Sequence, residues 1–484
     1  MTAATIRSAR ATSLRFFESL WRAQSSGDGN AAPGARAVFS RPQRMLLLAA
    51  FALIVIFRLP NAWVHGRFQA EEAGVFLAYA WHHSWLDALF RPFAGYWNLA
   101  ASAATVLVVQ LVKGGILPLE RAPYVTMGIA LAFQLIPAVL ILTGRAQWLA
   151  SRLAVIAALL MIAIAPATEE VFFNVLHIQF HLALCVALIL ALDVPCRRAT
   201  RVGYGVLLFL APQCGPAAIV MLPLFALRAL IDRDFGRLTQ LAALAAGAAV
   251  QLMLFYGPSP VRGQVLDPAS IAAAMFVRLI ATPLLGIGFA NRIADAIHAS
   301  QVAGGTQWWA FVAATAILFG LLILVAAQRR DAAIWLVLSA LFLAAISFGV
   351  GMIVVYPADL LTVVFGERYN FLPAVLLGLA LVVLAMRPGF SGRPIYALLC
   401  ALVLISGALY YRRPLPIFAG GPSWPAEVVA WHKDHHHPLA LWPRPWTADL
   451  SNETRPCSPP GRDLAQSTDP RYCESGWIAG FYPR

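Results

Sequence analysis

Charge is what this chain has least of. Only 12% of its 484 residues are charged, about half the share of a soluble globular domain. Lysine is almost missing, present only as Lys113 and Lys433, and acidic residues number 23. Such a chain is not a cytosolic enzyme, a disordered regulator or a nucleic-acid-binding module. Also absent are a Walker A loop, a G-x-G-x-x-G turn after a strand, an H-E-x-x-H helix and zinc-type cysteine spacing. What is there is apolar: 60% of the residues are hydrophobic and the mean hydropathy is +0.71. The sequence therefore reads as an all-α polytopic membrane protein.

The net charge of +13 belongs to arginines that sit between apolar runs rather than along one face. That placement fits loops on the cytoplasmic side of a membrane. Runs of about 17–25 apolar residues can cross a bilayer, and crossings are expected at 45–63, 123–143, 148–166, 171–192, 203–212, 216–230, 237–256, 308–327, 332–355, 371–386 and 394–410. That makes about 11 transmembrane helices. Every second loop then carries arginine: Arg145 and Arg152; Arg197, Arg198 and Arg201; Arg228, Arg233 and Arg237; Arg329 and Arg330; Arg387 and Arg393. The alternation holds only if 96–112 lies against the outer leaflet as an amphipathic helix instead of crossing.

Three regions follow. Residues 1–43 form a basic cytoplasmic arm, within which Ser13–Trp21 could lie on the membrane surface as a short amphipathic helix. Residues 44–410 form the transmembrane domain, with a first outer loop at 64–122. Residues 411–484 form a small external tail rich in Trp and Pro, too short for a robust core of its own. It is expected to pack on the outer face, with Cys457 and Cys473 able to pair there. Its run His435–His437 reads as a solvated segment in preference to a metal site.

Acidic residues are costly in a membrane, so their positions inform. Glu71-Glu72 follows the first span and opens an apolar helical pattern, where a helix N-terminus favours negative charge. One carboxylate could act as general base while the other orients substrate; a plain helix-start charge pair is the alternative. Glu169-Glu170 stands at the outer end of the fourth span, and Asn174, His177 and His181 are expected on one face of that helix, with Gln179 to the side. Gly366-Glu367-Arg368-Tyr369-Asn370 precedes the tenth span. An arginine at the outer boundary breaks the charge rule, and its fork geometry suits a lipid phosphate. Gln213-Cys214-Gly215-Pro216 is a sharp break between two short apolar halves, of the kind that lines cavities.

In this order, these features resemble the GT-C superfamily of membrane glycosyltransferases, which includes protein O-mannosyltransferases, lipid A aminoarabinose transferases and oligosaccharyltransferase catalytic subunits. Glu71-Glu72 looks like the family's first acidic motif, FRPFAGYWNLAASAATVL like its surface helix, and Glu169-Glu170 like its second acidic element. Gln213–Pro216 resembles a K-G-P turn without the lysine, and Gly366–Tyr369 a G-x-R-Y motif. The likeness covers roughly 45–410, by layout more than identity, and the first motif is Glu-Glu where Asp-Glu or a lone Asp is usual.

The resemblance implies a glycosyltransferase in a bacterial inner membrane, with its N-terminus cytoplasmic and its C-terminus external. It would move a sugar, with inversion, from a polyprenyl-phosphate donor to a hydroxyl of a lipid, polysaccharide or protein acceptor. Glu71 or Glu72 would be the base. Glu169, Glu170, Asn174, His177, Gln179, Arg368 and Tyr369 would bind substrate. No cofactor is expected; a pyrophosphate donor would want a divalent metal on Glu71, Glu169 and Glu170, and the metal-free version is preferred. Membrane lipids are partners and nucleic acid is not. Two other classes compete: a transporter or flippase for a polyprenyl-linked glycan, which would show mid-membrane charges and pseudo-symmetric halves, and a non-catalytic envelope-assembly protein.

Overall fold

A computed structural model describes residues 38–256, 265–328, 331–352, 357–364 and 366–451. The Ser13–Trp21 segment and the Cys457–Cys473 pair lie outside these residues. The described chain is all-α apart from two two-residue hairpins, Pro92–Phe93 with Tyr96–Trp97 and Leu439–Ala440 with Thr447–Ala448. Its helices are α1 (Arg41–Ile56), α2 (Leu99–Lys113), α3 (Leu119–Thr143), α4 (Arg152–Ala163), α5 (Ile178–Ala191), α6 (Arg198–Leu210), α7 (Leu222–Asp232), α8 (Phe235–Phe255), α9 (Pro268–Leu285), α10 (Ile287–Val302), α11 (Trp309–Ala327), α12 (Ala332–Gly351), α13 (Arg368–Met386), α14 (Arg393–Arg412) and α15 (Trp424–Lys433). Seven of these, α3, α8, α9 and α11–α14, are long and apolar enough to cross a membrane; α2, α4 and α5 are shorter apolar helices. The chain is a multi-pass membrane protein.

Several helices start where the sequence supplies an acceptor for their first unpaired N–H groups. Asp331 accepts from Ala333 N at 2.9 Å, Asp267 from Ser270 N at 2.9 Å, Asp234 from Arg237 N at 3.2 Å and Asn98 from Ala101 N at 3.2 Å. The bundle is organised around α5, every residue of which is buried. A helix apolar on all sides belongs at the centre of such a bundle. By contrast, only 17% of the apolar window of α11 is buried, so most of its surface is left for lipid.

The glutamates gather at one end of the bundle. At the opposite end Arg237 donates to Ile189 O and Leu192 O, Asp193 N donates to Arg145 O, and Arg387 pairs with Asp331 at 2.8 Å. The glutamate end holds Glu71, Glu72, Glu169, Glu170 and Glu367, together with the cavity described below, and is termed the cavity end.

Three expectations from the sequence need correcting. The run 45–63 is not one helix. It stops at Ile56, a separate turn runs Pro60–His65, and Arg58 between them turns inward to Ala163 O and Ala165 O at 2.6 and 2.7 Å. The run 171–192 becomes helical only at Ile178, after a left-handed residue at Phe173 (φ 56°). The Asn174 side chain accepts the His177 N–H at 2.8 Å, a local turn that competes with helix. Asn174 and His177 therefore do not share a helical face with His181.

The third correction is α9 and α10, which the sequence reading left unassigned. Hydrogen bonds tie α9 and the residue Val265 before it to three neighbours: Val265 N to Gly349 O on α12 at 3.0 Å, Arg278 to Asn370 on α13 at 2.9 Å, and Ser406 on α14 to Thr282 O at 3.3 Å. Its length and apolar character are those of a span. The described part of the tail, up to residue 451, is held at the cavity end, where Trp442 pairs with the strap that leads to Glu71. Ala70 N donates to Trp442 O at 2.6 Å and Trp442 N to Phe68 O at 3.2 Å. Gly74 rests on the Thr447 carbonyl, where even a Cβ would stand only 2.9 Å away.

Candidate functional site

A cavity of about 800 Å³ opens at this end, lined from seven parts of the chain. Glu71 and the tip of the first hairpin (Phe93–Tyr96) form one wall. His177, Gln179 and Phe180 come from the start of α5. Arg368 and Tyr369 open α13. The remainder is apolar, with Ile219 and Val220 after the chain break, Leu252 on α8, and Leu343, Ile346 and Val350 on α12. This volume suits a drug-sized or larger ligand with few polar contacts.

The hairpin wall is pinned rather than loose. Trp97 stacks on Phe255 with ring centroids 4.3 Å apart, its Nε1 donates to Leu89 O at 2.7 Å, and its carbonyl accepts from Gln251 at 3.1 Å. Gln179 bridges to the Tyr96 hydroxyl at 3.3 Å. The break at Gly215 makes room for Gln179: the backbone there has φ 153° and a Cβ would collide with that side chain. Glycine supplies both the conformation and the space.

Glu71 and Glu72 have different fates. Glu71 faces the cavity. Glu72 is fully buried behind it and accepts the amides of Gln69 at 3.1 Å and Val175 at 3.3 Å. Burial pushes its carboxyl up to about 7, against the pull of the Gln69 amide, the Thr126 hydroxyl and the nearby Arg67 guanidinium. The same burial lowers Arg67 to about 10, and that side chain donates to Phe172 O. Glu72 therefore anchors the strap to the 172–175 segment.

The second pair also divides. Glu170 binds the Arg368 guanidinium and accepts the Arg368 backbone N–H at 3.0 Å. Burial acts to raise this carboxyl, but Arg368 and His177 outweigh it and hold it below its ordinary value. Glu169 turns away from the cavity, fully buried, with Arg58 at 4.0 Å. Asn174 is buried as well and donates to Gln69 Oε1 at 2.9 Å, which ties the strap to the α5 turn.

His177 Nδ1 lies 2.8 Å from Glu170 O. A carbonyl needs a donor, so the proton belongs on Nδ1 and Nε2 carries the lone pair. Burial lowers the ring to about 4, keeping it neutral near pH 7. Of the nine residues expected at the site, Glu71, His177, Gln179, Arg368 and Tyr369 meet at the cavity. Glu170 touches it through Arg368, while Glu72, Glu169 and Asn174 support it from behind. Gln251, Tyr96 and the apolar wall carried no motif that singled them out. Among the described residues no group of three His, Cys, Asp or Glu stands close enough together to hold a metal ion.

Fold and site together define a helical membrane protein with a polar-and-apolar cavity at the end of its bundle where the glutamate pairs gather. No protein-family model matches the chain, and no curated protein or solved structure matches it either.

Proposed function

We propose that the chain is a membrane glycosyltransferase of GT-C-like layout that moves a sugar from a polyprenyl-phosphate donor to an acceptor hydroxyl, with inversion. The observation that carries the reading is one cavity faced by a carboxylate, Glu71, and a guanidinium, Arg368, beside a long apolar wall. The acceptor O–H gives its proton to Glu71 as its oxygen bonds the anomeric carbon. The bond from that carbon to the phosphate oxygen breaks, and polyprenyl phosphate leaves. A positioned base contributes about 10²–10⁴-fold to such a step, and Arg368 meets the charge developing on the phosphate.

The Glu170 carboxylate offsets part of the Arg368 charge, which suits a singly charged phosphodiester better than a pyrophosphate. The His177 Nε2 lone pair and the Gln179–Tyr96 bridge suit sugar hydroxyls, and the wall from Ile219 to Val350 suits isoprenoid units. Arginine-rich helix ends at the far side support a cytoplasmic placement for that end, within a bacterial inner membrane. In this reading α2, α9 and α10 do not cross, α1, α3–α8 and α11–α14 make eleven crossings, and the N-terminus is cytoplasmic and the C-terminus external.

The test is transfer by the purified full-length chain from a panel of radiolabelled polyprenyl-phosphate sugars, read as release of polyprenyl phosphate. Glu71→Gln should lower turnover at least a hundredfold with an unchanged melting temperature. Wild-type turnover in that variant would refute the assignment.

A further inference from the structure

Two turns meet behind the cavity, and each grips the other by the same device. Glu170, on the first turn, accepts the backbone N–H of Arg368 at 3.0 Å, and Glu367, on the second, accepts the backbone N–H of Glu169 at 3.0 Å. Each carboxyl therefore holds the amide of the acidic or basic residue next to its opposite number. The bonds join segments 198 residues apart in sequence, so neither turn makes the geometry alone. Behind them the Tyr410 hydroxyl donates to Glu367 Oε1 at 2.6 Å.

The carboxyls in this lock are not paired one to one with guanidiniums. Glu169 and Glu367 are both fully buried. The nearest cation to Glu169 is Arg58 at 4.0 Å, and Arg58 already donates to Ala163 O, Ala165 O and Thr168 Oγ1. Neither oxygen of Glu169 makes a well-formed hydrogen bond, with the Tyr410 hydroxyl and the Leu415 amide its neighbouring donors. Of the guanidiniums around them, Arg368 is bonded to Glu170 and Arg278 donates to Leu360 O, Asn370 Oδ1 and Thr362 O, and two buried carboxyls whose neighbouring cations are committed to other acceptors do not readily both ionise.

We propose that Glu367 is a positioning residue for Arg368: with Glu170 it locks the two turns together, and the lock holds only while Glu169 and Glu367 share one proton. The groups that face the pair are Arg58, Arg278, Arg368, Glu170 and Tyr410. Burial and then the Glu169 charge hold the Glu367 carboxyl well above its ordinary range, and burial raises Glu169 despite Arg58. Rising pH removes the shared proton, the two carboxylates repel, and Arg368 loses its seat in the cavity wall. The role of Arg368 as a phosphate ligand rests on the function proposed above, whereas the lock itself does not.

The experiment uses the full-length chain in nanodiscs as wild type, Glu367→Gln and Glu367→Ala. Farnesyl phosphate is titrated from pH 6 to 9.5 with tryptophan fluorescence as readout, and melting temperatures are recorded over the same range. Comparing variants at each pH cancels the titration of the probe. Glu367→Gln is neutral at every pH and keeps an acceptor for the Glu169 amide. It should bind like wild type at pH 6 and at least tenfold more tightly than wild type at pH 9.5, with a melting temperature that holds where that of wild type falls. Glu367→Ala should bind at least tenfold more weakly at pH 6. The lock is overturned if wild type and Glu367→Gln run parallel in melting temperature across the range, or if Glu367→Ala binds like wild type. If none of the proteins binds farnesyl phosphate while the melting temperatures diverge as expected, the lock stands and the phosphate reading falls.

Discussion

Glu72 offers the sharpest separation of an anchoring carboxylate from a reacting one. Its carboxyl stands at about 7 against an ordinary 4.5, a gap that corresponds to about 3 kcal/mol. The raised value fixes the sign. Its contribution to stability is full below about pH 4.5 and is lost as pH rises through about 7. Glu72→Gln does not titrate, so it lacks this slope. The amide has one acceptor oxygen for the two N–H groups of Gln69 and Val175, and a buried donor left unmet costs about 1–3 kcal/mol. Urea unfolding of the detergent-solubilised chain should find the variant less stable by about that amount at pH 5. By pH 8 the gap should close or reverse, because the wild-type term of about 3 kcal/mol has gone. Transfer activity of the folded variant should survive, in contrast to Glu71→Gln. A pH-independent gap would refute the burial argument, and loss of transfer with stability intact would return Glu72 to the reacting groups.

Two further substitutions test the frame around the cavity. Arg278 is buried on α9 and donates to Leu360 O at 2.7 Å, Thr362 O at 2.6 Å and Asn370 Oδ1 at 2.9 Å. Arg278→Ala should cost at least about 3 kcal/mol in thermal unfolding, and Arg278→Lys should fail to rescue it because a point charge cannot span the same acceptors; full rescue would undo the fork argument. Trp442 is 2% exposed and its Nε1 donates to Pro422 O at 2.7 Å. Trp442→Ala should cost about 3–5 kcal/mol and speed limited proteolysis within 413–451, and an unchanged cleavage rate would refute a docked tail.

Much of the plan was legible in the sequence because charge has few places to go in an apolar bundle. Arginines in alternate loops and glutamates in pairs mark opposite ends of the structure, and Arg237 and Arg387 do sit opposite Glu71 and Glu170. What was not legible depends on partners far along the chain. Glu71 and Glu72 are identical in type and adjacent, and partners such as the Val175 amide, 103 residues away, assign one to the core. Residues 171–177 have the composition of a span, yet Phe173 is left-handed and Asn174 caps its own turn. Arg278 and Pro283 make α9 read as a loop, because the carbonyls that satisfy Arg278 lie more than 80 residues further on.

These failures share a cause, and it explains where the site is. A helix that crosses lipid satisfies its own backbone, so its sequence pattern suffices to place it. At the cavity end the backbone is broken at Gly215, at Phe173 and before Arg368, and a polar side chain beside each break ties it to another segment. Asn174, Glu170, Glu367 and Gln213 do this, Gln213 by donating to Gly247 O at 2.7 Å. Irregular backbone at this depth persists only where it lines a cavity or is sheltered by protein. The polar residues that local pattern cannot place are therefore the ones that hold the cavity open, and Glu71 and Arg368 face a common space because the side chains behind them are committed to backbone.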